Sequence, residues 1–467
     1  MMENLNKSRK SAGGIAFCYL IIVLISFIFY AAFAQRTVGW QDSGEYQWRV
    51  LAGDWTTSQG LARAHPLYIS AGRGILLLAG KTNLVYALNL LSSLGMAIAL
   101  GNFFLLGNFL TGCRWIPILG AAMLGVCHTP WWLAEVAEVY TWSLAIFFGE
   151  LVTMAWLIRR PSSWKLCLLA LLAGLELAVH GFAVLAYPVY FVVAIVLVWK
   201  KKLSLWSLAD GLIFWSAGAS LWLGQMIWLW ERTDFLYALR NALVGMYGDK
   251  ILTLGVHHEL LKVNICLSGL NFLNFLLPLA IIGWWNFRRR LGSGIAAAIG
   301  AITVIHVAFF IRYPVPDKFT FILPTLGLIA LAATVGMDAM AERGIAWRRA
   351  VVVMATISVI LGPLCYLALP KILSGHVGGL EKTRWPYRNE LVYWISPWKQ
   401  NENSAQKYCT EKLTSLPKNA TVGDNGSATD FFPMMVLQQA YDIRPDVKFR
   451  SDLLPGGTMW KRNYAPQ

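Results

Sequence analysis

Eleven runs of this chain are apolar over a length that matches a lipid bilayer, and no other feature constrains the fold as tightly. Crossing about 30 Å of hydrocarbon takes roughly 20 helical residues at about 1.5 Å each. The runs are 15–34, 84–110, 115–131, 139–158, 166–179, 182–199, 205–230, 267–287, 291–311, 319–336 and 350–369. The fifth and sixth are interrupted only by His180-Gly181 and are expected to form a tight hairpin. In lipid every backbone polar group must find its partner within the segment, which selects helices. Composition agrees: 14% of residues are charged, against roughly 25% in a soluble protein. In water such a chain would expose too much apolar surface. A soluble enzyme, a disordered chain, a coiled coil and a disulfide scaffold are therefore excluded. The seven cysteines form no Cys-x-x-Cys pair, and most lie inside apolar runs as small buried hydrophobes.

The net charge of +15 would suggest nucleic acid on a soluble protein. Here the cations flank the apolar runs, and no nucleic-acid partner is expected. Alternate connections carry Lys7, Arg9 and Lys10; Arg114; Arg159, Arg160 and Lys165; Lys200, Lys201 and Lys202; Arg288, Arg289 and Arg290; and Arg343, Arg348 and Arg349. That makes sixteen basic residues, against two in the opposite short connections 132–138, 180–181 and 312–318. The positive-inside rule then puts the N-terminus in the cytoplasm, and eleven crossings put the C-terminus outside. No small-residue cleavage site follows the first run, which is expected to remain as a helix. The short connections favour a bacterial inner membrane. Dense Trp near the predicted interfaces (Trp131, Trp132, Trp228, Trp230, Trp284, Trp285) reads as an aromatic belt.

The outer segments long enough to act are 35–83, 231–266 and 371–467. The last is polar and mixed in charge, with helix-like stretches at 404–416 and 431–441 and strand-like ones at 420–423 and 447–450. The expected architecture is an all-α polytopic membrane domain over 1–370, followed by a small extracytoplasmic α/β cap over 371–467. The cap carries two tripeptides of glycosylation-acceptor type, Asn419-Ala-Thr421 and Asn425-Gly-Ser427.

The first outer segment holds Gly39-Trp-Gln-Asp42-Ser43-Gly44-Glu45-Tyr46 and then Ala64-His65-Pro66-Leu67-Tyr68. If a helix starts at Ser43, Asp42 and Glu45 lie near one face, with Asp42 by the N-cap. Two readings of Asp42 stand side by side: a capping side chain, or a general base at the membrane surface. Pro66 fits the first turn of a second, amphipathic stretch, 67–80. Trp40, Trp48 and Trp55 are candidates to stack on a sugar or an isoprene.

These motifs, in this order, resemble the GT-C superfamily of membrane glycosyltransferases, and within it the protein O-mannosyltransferase-like branch (the transmembrane protein 260-like proteins). Ala134-Glu135-Val136-Ala137-Glu138-Val139-Tyr140 is similar to that branch's Glu-Val-Tyr loop. The 174–188 stretch with His180 resembles its His-containing hairpin. Pro316-Asp317-Lys318-Phe319 resembles its entry to a late span, and Ser415-Leu416-Pro417 with Arg444-Pro445-Asp446 resembles its tail. Two departures stand out: His65-Pro66 runs directly into Leu67-Tyr68 without the branch's Gly-Tyr insertion, and the tail is short.

The resemblance implies a GT-C-like fold and transfer of a sugar from a polyprenyl-phosphate donor to a protein or lipid hydroxyl, on the outer side and with inversion. Such a displacement needs a carboxylate base and cationic support for the departing phosphate. Asp42 is the first choice for the base and Glu45 the second. Arg36, Arg63, Arg73, Arg312 and Lys318 are candidates for the phosphate, or else interfacial snorkels. His65, Tyr68, Glu135, Glu138, Tyr140, His180 and Asp317 complete the candidate binding set. Glu135 and Glu138 are candidates to position His128 or a basic loop residue, or to join Asp42 at a divalent metal. No cofactor is firmly implied, and there is no His-Glu-x-x-His motif or close carboxylate cluster. Glu150 and Glu176 fall inside spans, where an acid is a functional candidate or a paired structural group. His306 reads as a packing histidine, and His257-His258-Glu259 as a solvated loop. The alternative from another class is a transporter or flippase of a lipid-linked substrate, which would show an inverted repeat; no repeat is evident. A non-catalytic scaffold is the third reading.

Overall fold

The computed structural model describes residues 2–253, 255–315, 317–376, 385–424 and 427–464, and their side chains apart from those of 2–12 and 252. The charges of Lys7, Arg9 and Lys10, as well as Pro316 and Asn425, lie outside the described residues and side chains.

Each of the eleven apolar runs has a helical counterpart. Six helices are long and apolar enough to span: Gly13–Phe33, Pro66–Thr111, Tyr140–Arg159, Ser293–Arg312, Lys318–Ala341 and Ile345–Leu373. Three further runs are bent pairs: Trp115–Gly125 with His128–Ala134 (73°), Trp206–Gly218 with Ser220–Trp230 (77°), and His258–Asn271 with Leu276–Leu291 (94°). That gives up to nine spans by length and composition among the described residues. The other two runs are the 17-residue helix Ser163–Val179 and the 13-residue helix Tyr187–Trp199, joined by the 3-10 turn Gly181–Leu185. At about 1.5 Å per residue they are shorter than the hydrocarbon core. The expected count of eleven thus separates into nine candidate spans and one short hairpin.

The bends have local causes. At Asn271–Asn274 the Asn274 side chain accepts the Leu276 N–H at 3.0 Å and starts the second helix afresh. At Gly218 the backbone presses on the helix Ser163–Val179, where a Cβ would overlap the Leu171 carbonyl; reciprocally, a Cβ at Gly174 would overlap that of Trp215. A second crossing of this kind joins Leu276–Leu291 to Leu323–Ala341: a Cβ at Gly283 would overlap the Ala332 carbonyl, and one at Gly336 that of Leu279. Helices in lipid gain little from burying apolar surface against each other, so close backbone approach through small residues carries the packing.

The helix Pro66–Thr111 breaks at Gly80, whose φ of 74° and ψ of 170° are non-helical. Its outer part therefore turns away from the spanning part, and Leu77 and Leu78 are almost fully exposed there. Such a face belongs against lipid.

The tail contains helices Glu390–Ile395, Ser404–Ser415, Ala428–Tyr441 and Thr458–Tyr464, with Thr421–Val422 pairing in parallel with Lys448–Phe449. It does not keep its own core. Phe431, Phe432 and Leu437 pack with Val38, Trp48 and Val85 in one cluster. The Trp48 and Phe432 rings lie 5.0 Å apart. Trp40 sits against Trp385 (5.2 Å) and Tyr408 (5.9 Å). Trp40 and Trp48 are thus covered by the tail, which corrects their reading as open stacking platforms; Trp55 is partly exposed.

Replacing Gly283 by Leu forces the crossing apart, and overpacking of this kind costs about 1–3 kcal/mol. Gly283→Leu is expected to lower the thermal midpoint of the purified protein in detergent. Gly224→Leu, where a Cβ meets nothing within 4 Å, is expected to leave it unchanged.

Candidate functional site

The helix Gln41–Ala52 carries the first motif. It begins two residues earlier than the sequence suggests, with extended Trp40 at the N-cap and no side-chain capping bond. Asp42 is therefore not the cap. Its carboxylate pairs with Arg63 at 2.9 Å. Gly44 is required by contact: a Cβ would lie 2.7 Å from the Gly39 carbonyl and 2.8 Å from Pro433 of the tail. On the same helix Glu45 is buried, accepts the Thr57 hydroxyl at 3.0 Å and lies 3.8 Å from Arg63.

Arg63 sits on the 3-10 turn Leu61–Arg63. Its guanidinium also donates to the Gln59 side-chain oxygen and, at 3.4 Å, to the Tyr247 hydroxyl. Buried Arg49 holds this turn from beneath, donating to the carbonyls of Arg63 (3.1 Å) and Ala64 (2.6 Å). His65 follows with a left-handed φ of 48° and starts the next helix at Pro66. Its ring stacks on His180 at 5.1 Å and 11°.

These residues open onto a cavity of about 280 Å³. Six of the candidates read from sequence line it: Asp42, Arg63, His65, Tyr140, His180 and Asp317. Tyr46, Tyr247 and Tyr313 add hydroxyl-bearing rings, and Phe182, Phe309 and Phe321 add apolar ones. Val184, Leu185, Leu243, Val244 and Ile251 make the remaining wall apolar. Chain order puts the basic connections at the other end of the bundle: Tyr140 lines the cavity, whereas Arg159 ends the same helix.

The acids share one cation. Arg63 is the single Lys or Arg among the described lining residues, facing Asp42 and Asp317 with Glu45 and Glu138 behind. Burial, and then the charge of Asp42, pushes the Asp317 carboxyl up to about 6. Burial raises Glu45, opposed by Arg63 and Arg49. Burial, with Asp42 and Asp317 adding, raises Glu138 well above the usual carboxylate range.

The other candidates lie elsewhere. Arg36 is exposed and off the cavity wall. Arg73 donates to the carbonyls of Val50 (3.0 Å) and Leu51 (3.2 Å), closing the end of the Gln41–Ala52 helix. Arg312 donates to the Ile251 and Thr253 carbonyls and so anchors the segment that brings Ile251 to the cavity. Lys318 is buried and donates to the carbonyls of Phe310, Ile311 and Tyr313, ending the preceding helix. Tyr68 packs behind Tyr46 at 5.6 Å. Glu135 is buried near Lys399 of the tail, and His128 pairs with the Trp394 carbonyl at 2.8 Å rather than with Glu135 or Glu138. Glu150 and Glu176 form a buried intramembrane pair, accepting the Tyr190 and Ser143 hydroxyls, both at 2.8 Å, away from the cavity. His258 and Glu259 are exposed, 3.5 Å apart. Among the described residues no three His, Cys, Asp or Glu side chains gather as metal ligands.

Sequence reasoning missed Arg49, Thr57, Gln59, Tyr46, Tyr247 and Tyr313. Arg49 had a signal, since it lies one helical turn beyond Glu45 on the motif helix. Tyr247 had none, because only the fold brings 245–251 to this cavity.

No family model matches the chain, and no curated protein matches it. Solved structures do. The crystal structure of ArnT from Cupriavidus metallidurans bound to undecaprenyl phosphate aligns with a TM-score of 0.53 at 14% identity, covering 94% of this chain and 90% of that one. The apo state of the same protein aligns at 0.56 and 14%, covering 98% and 89%. The chain thus has the polytopic, mostly helical membrane fold of ArnT, in keeping with the GT-C-type fold implied by its motifs. The protein O-mannosyltransferase-like branch finds no counterpart in these comparisons.

An acid with a raised folded-state pKa contributes stability below its ordinary value and loses it as pH rises through the raised one. Thermal stability is therefore expected to fall between about pH 4 and pH 6 by an Asp317-dependent amount of at most roughly 3 kcal/mol. Melting curves of Asp317→Asn across that range should lack this component.

Proposed function

We propose that this protein is an integral-membrane glycosyltransferase that moves a sugar from a polyprenyl-phosphate carrier to a hydroxyl of a protein or lipid acceptor, with inversion. The observation that carries this reading is the Asp42–Arg63 pair, 2.9 Å apart, in the wall of a cavity whose other side is apolar. A carboxylate and a guanidinium serve opposite ends of one displacement, and the apolar wall suits a prenyl chain. The fold shared with ArnT, a protein whose structure holds undecaprenyl phosphate, supports the choice of carrier.

In the proposed step the acceptor hydroxyl oxygen attacks the anomeric carbon and gives its proton to the Asp42 carboxylate. The anomeric C–O bond to phosphate breaks, and the phosphate leaves with the electron pair. Arg63, held from below by Arg49, offers the leaving oxygens a planar pair of donors. Glu45 keeps Arg63 turned toward Asp42 and is the second choice for the base. Tyr140 and His180 face the sugar region in this reading, and Asp317 lines the same cavity within electrostatic reach of Asp42 and Arg63. The arginines and lysine that cap helices (Arg73, Arg312, Lys318) act as scaffold. The positive-inside rule supports an N-terminus in the cytoplasm and the cavity on the outer side, and a bacterial inner membrane is the proposed location. The branch resemblance makes mannose the first sugar to test.

The test uses purified protein in nanodiscs with undecaprenyl phosphate and its glycosyl derivatives. Arg63→Ala is expected to weaken binding of undecaprenyl phosphate at least about tenfold. Asp42→Asn is expected to leave that binding within about threefold while lowering sugar release or transfer by about 10²–10⁴-fold. Undiminished transfer in Asp42→Asn would remove Asp42 as the base. Transbilayer movement of the lipid-linked sugar with no glycosidic bond broken would replace the transferase reading with the flippase one.

A further inference from the structure

The two stacked histidines in the cavity wall are held in opposite tautomers by the backbone. His65 Nδ1 lies 2.8 Å from the Val179 carbonyl oxygen. A carbonyl only accepts, so the proton sits on Nδ1 and Nε2 keeps its lone pair. His180 Nδ1 accepts the Phe182 N–H at 3.1 Å, so in the neutral ring the proton is on Nε2.

Both rings are kept neutral. Burial, and then the charge of Arg63, lowers His180 to about 3. Burial, then His180 and Arg49, takes His65 well below the usual range, against the pull of its bond to Val179. The groups around them are aromatic or already paired. Tyr46 is 5.7 Å from the His65 ring, and Tyr140 (4.8 Å) and Phe182 (4.5 Å) flank His180. The nearby charges are the mutually paired Arg63 and Asp42, and buried Arg49.

The wall therefore presents one acceptor, His65 Nε2, and one donor, His180 Nε2–H, and neither has a hydrogen-bond partner among the described residues. A hydroxyl both donates and accepts, and matches this pair. An ionised phosphate oxygen only accepts, and the His65 lone pair repels it. We propose that His65 and His180 form a hydroxyl-reading element that grips a ring hydroxyl of the transferred sugar and so distinguishes the sugar-loaded carrier from the spent one. This rests on the glycosyltransferase reading above and assigns it the residues that discriminate donor from product. Their neutrality leaves this element's own protonation unchanged across the physiological range.

Two substitutions separate recognition from structure. In His180→Asn the side-chain oxygen still accepts the Phe182 N–H, as Nδ1 does, but the cavity-facing donor is gone. His180→Gln places an N–H donor near the former Nε2. The measurement is binding to the purified full-length protein of undecaprenyl phosphate and of its mannosyl and glucosyl derivatives, at pH 6 to 9. Wild type is expected to prefer at least one glycosylated lipid. His180→Asn should cut that preference at least about tenfold with the bare lipid unchanged within about twofold, and His180→Gln should restore most of it. The inference is overturned if wild type binds bare and glycosylated lipids alike, or if His180→Asn keeps the preference or weakens both equally. If wild type binds none of these lipids, the carrier reading falls and takes this inference with it, a result distinct from loss of preference alone. Independently of any ligand, ¹⁵N NMR should find His65 as the Nδ1–H tautomer and His180 as the Nε2–H tautomer; the same tautomer in both rings would also overturn the inference.

Discussion

One guanidinium organises the cavity end of this molecule. Arg63 is bonded to Asp42, neighbours Glu45 and lies within electrostatic reach of Glu138 and Asp317. Among the described lining residues Arg63 is the single cation, so an added anion finds one strong donor in the cavity wall. Burial makes Glu45, Glu138 and Asp317 resist ionisation, and the charge of Arg63 offsets part of that resistance. Position matters as much as charge. Arg49 fixes the turn beneath Arg63 through backbone carbonyls, and Gln59 and Tyr247 hold its head. Movement of the 3-10 turn would reset every one of these distances together.

The membrane domain supplies the frame for this arrangement. Close crossings at Gly174 with Gly218 and at Gly283 with Gly336 leave almost no freedom between the helices they join. The connections 180–185 and 309–321 emerge from that rigid base and bring His180, Phe309 and Asp317 to the cavity. The helix caps made by Arg73, Arg312 and Lys318 belong to the same frame: each satisfies carbonyls that a helix end leaves unpaired. Cations expected to meet a ligand are instead part of the support that shapes its cavity.

The membrane class was legible because apolar periodicity and length depend on local sequence alone. All eleven runs became helices, yet a run of apolar residues does not reveal a bend; the break near Gly218 lies where another helix presses close, and the one near Asn274 lies where that side chain starts a new helix. The Asp42 motif was legible as chemistry, and the fold brings Asp42, Arg63, His65, Tyr140, His180 and Asp317 to one cavity from five separate stretches of chain. Arg36 is simply exposed, and Arg73, Arg312 and Lys318 lie off the cavity wall for one shared reason. Sequence shows that a Lys or Arg stands near an interface, but not whether a free carbonyl waits within reach. Trp40 and Trp48 were misjudged similarly, since their partners lie in a tail more than 300 residues away. Glu150 and Glu176 answer to the bland reading of a paired group, each with its own hydroxyl donor.

The segment Thr458–Tyr464 has a consequence for how the site matures. The Tyr464 hydroxyl donates to the carbonyls of Thr56 (2.7 Å) and Thr57 (2.8 Å), and Asn463 donates to that of Ser58 (2.7 Å). Thr57 is also the residue that holds Glu45. The loop 53–65 is made first, and the residues that stitch it down follow some 400 positions later. At about 5–20 residues per second, the loop waits roughly 20–80 s on the ribosome before its last clasp exists. A chain not yet extended to residue 464 therefore carries the Asp42 motif without this fastening, and assembly of this site is timed by the arrival of residues 458–464.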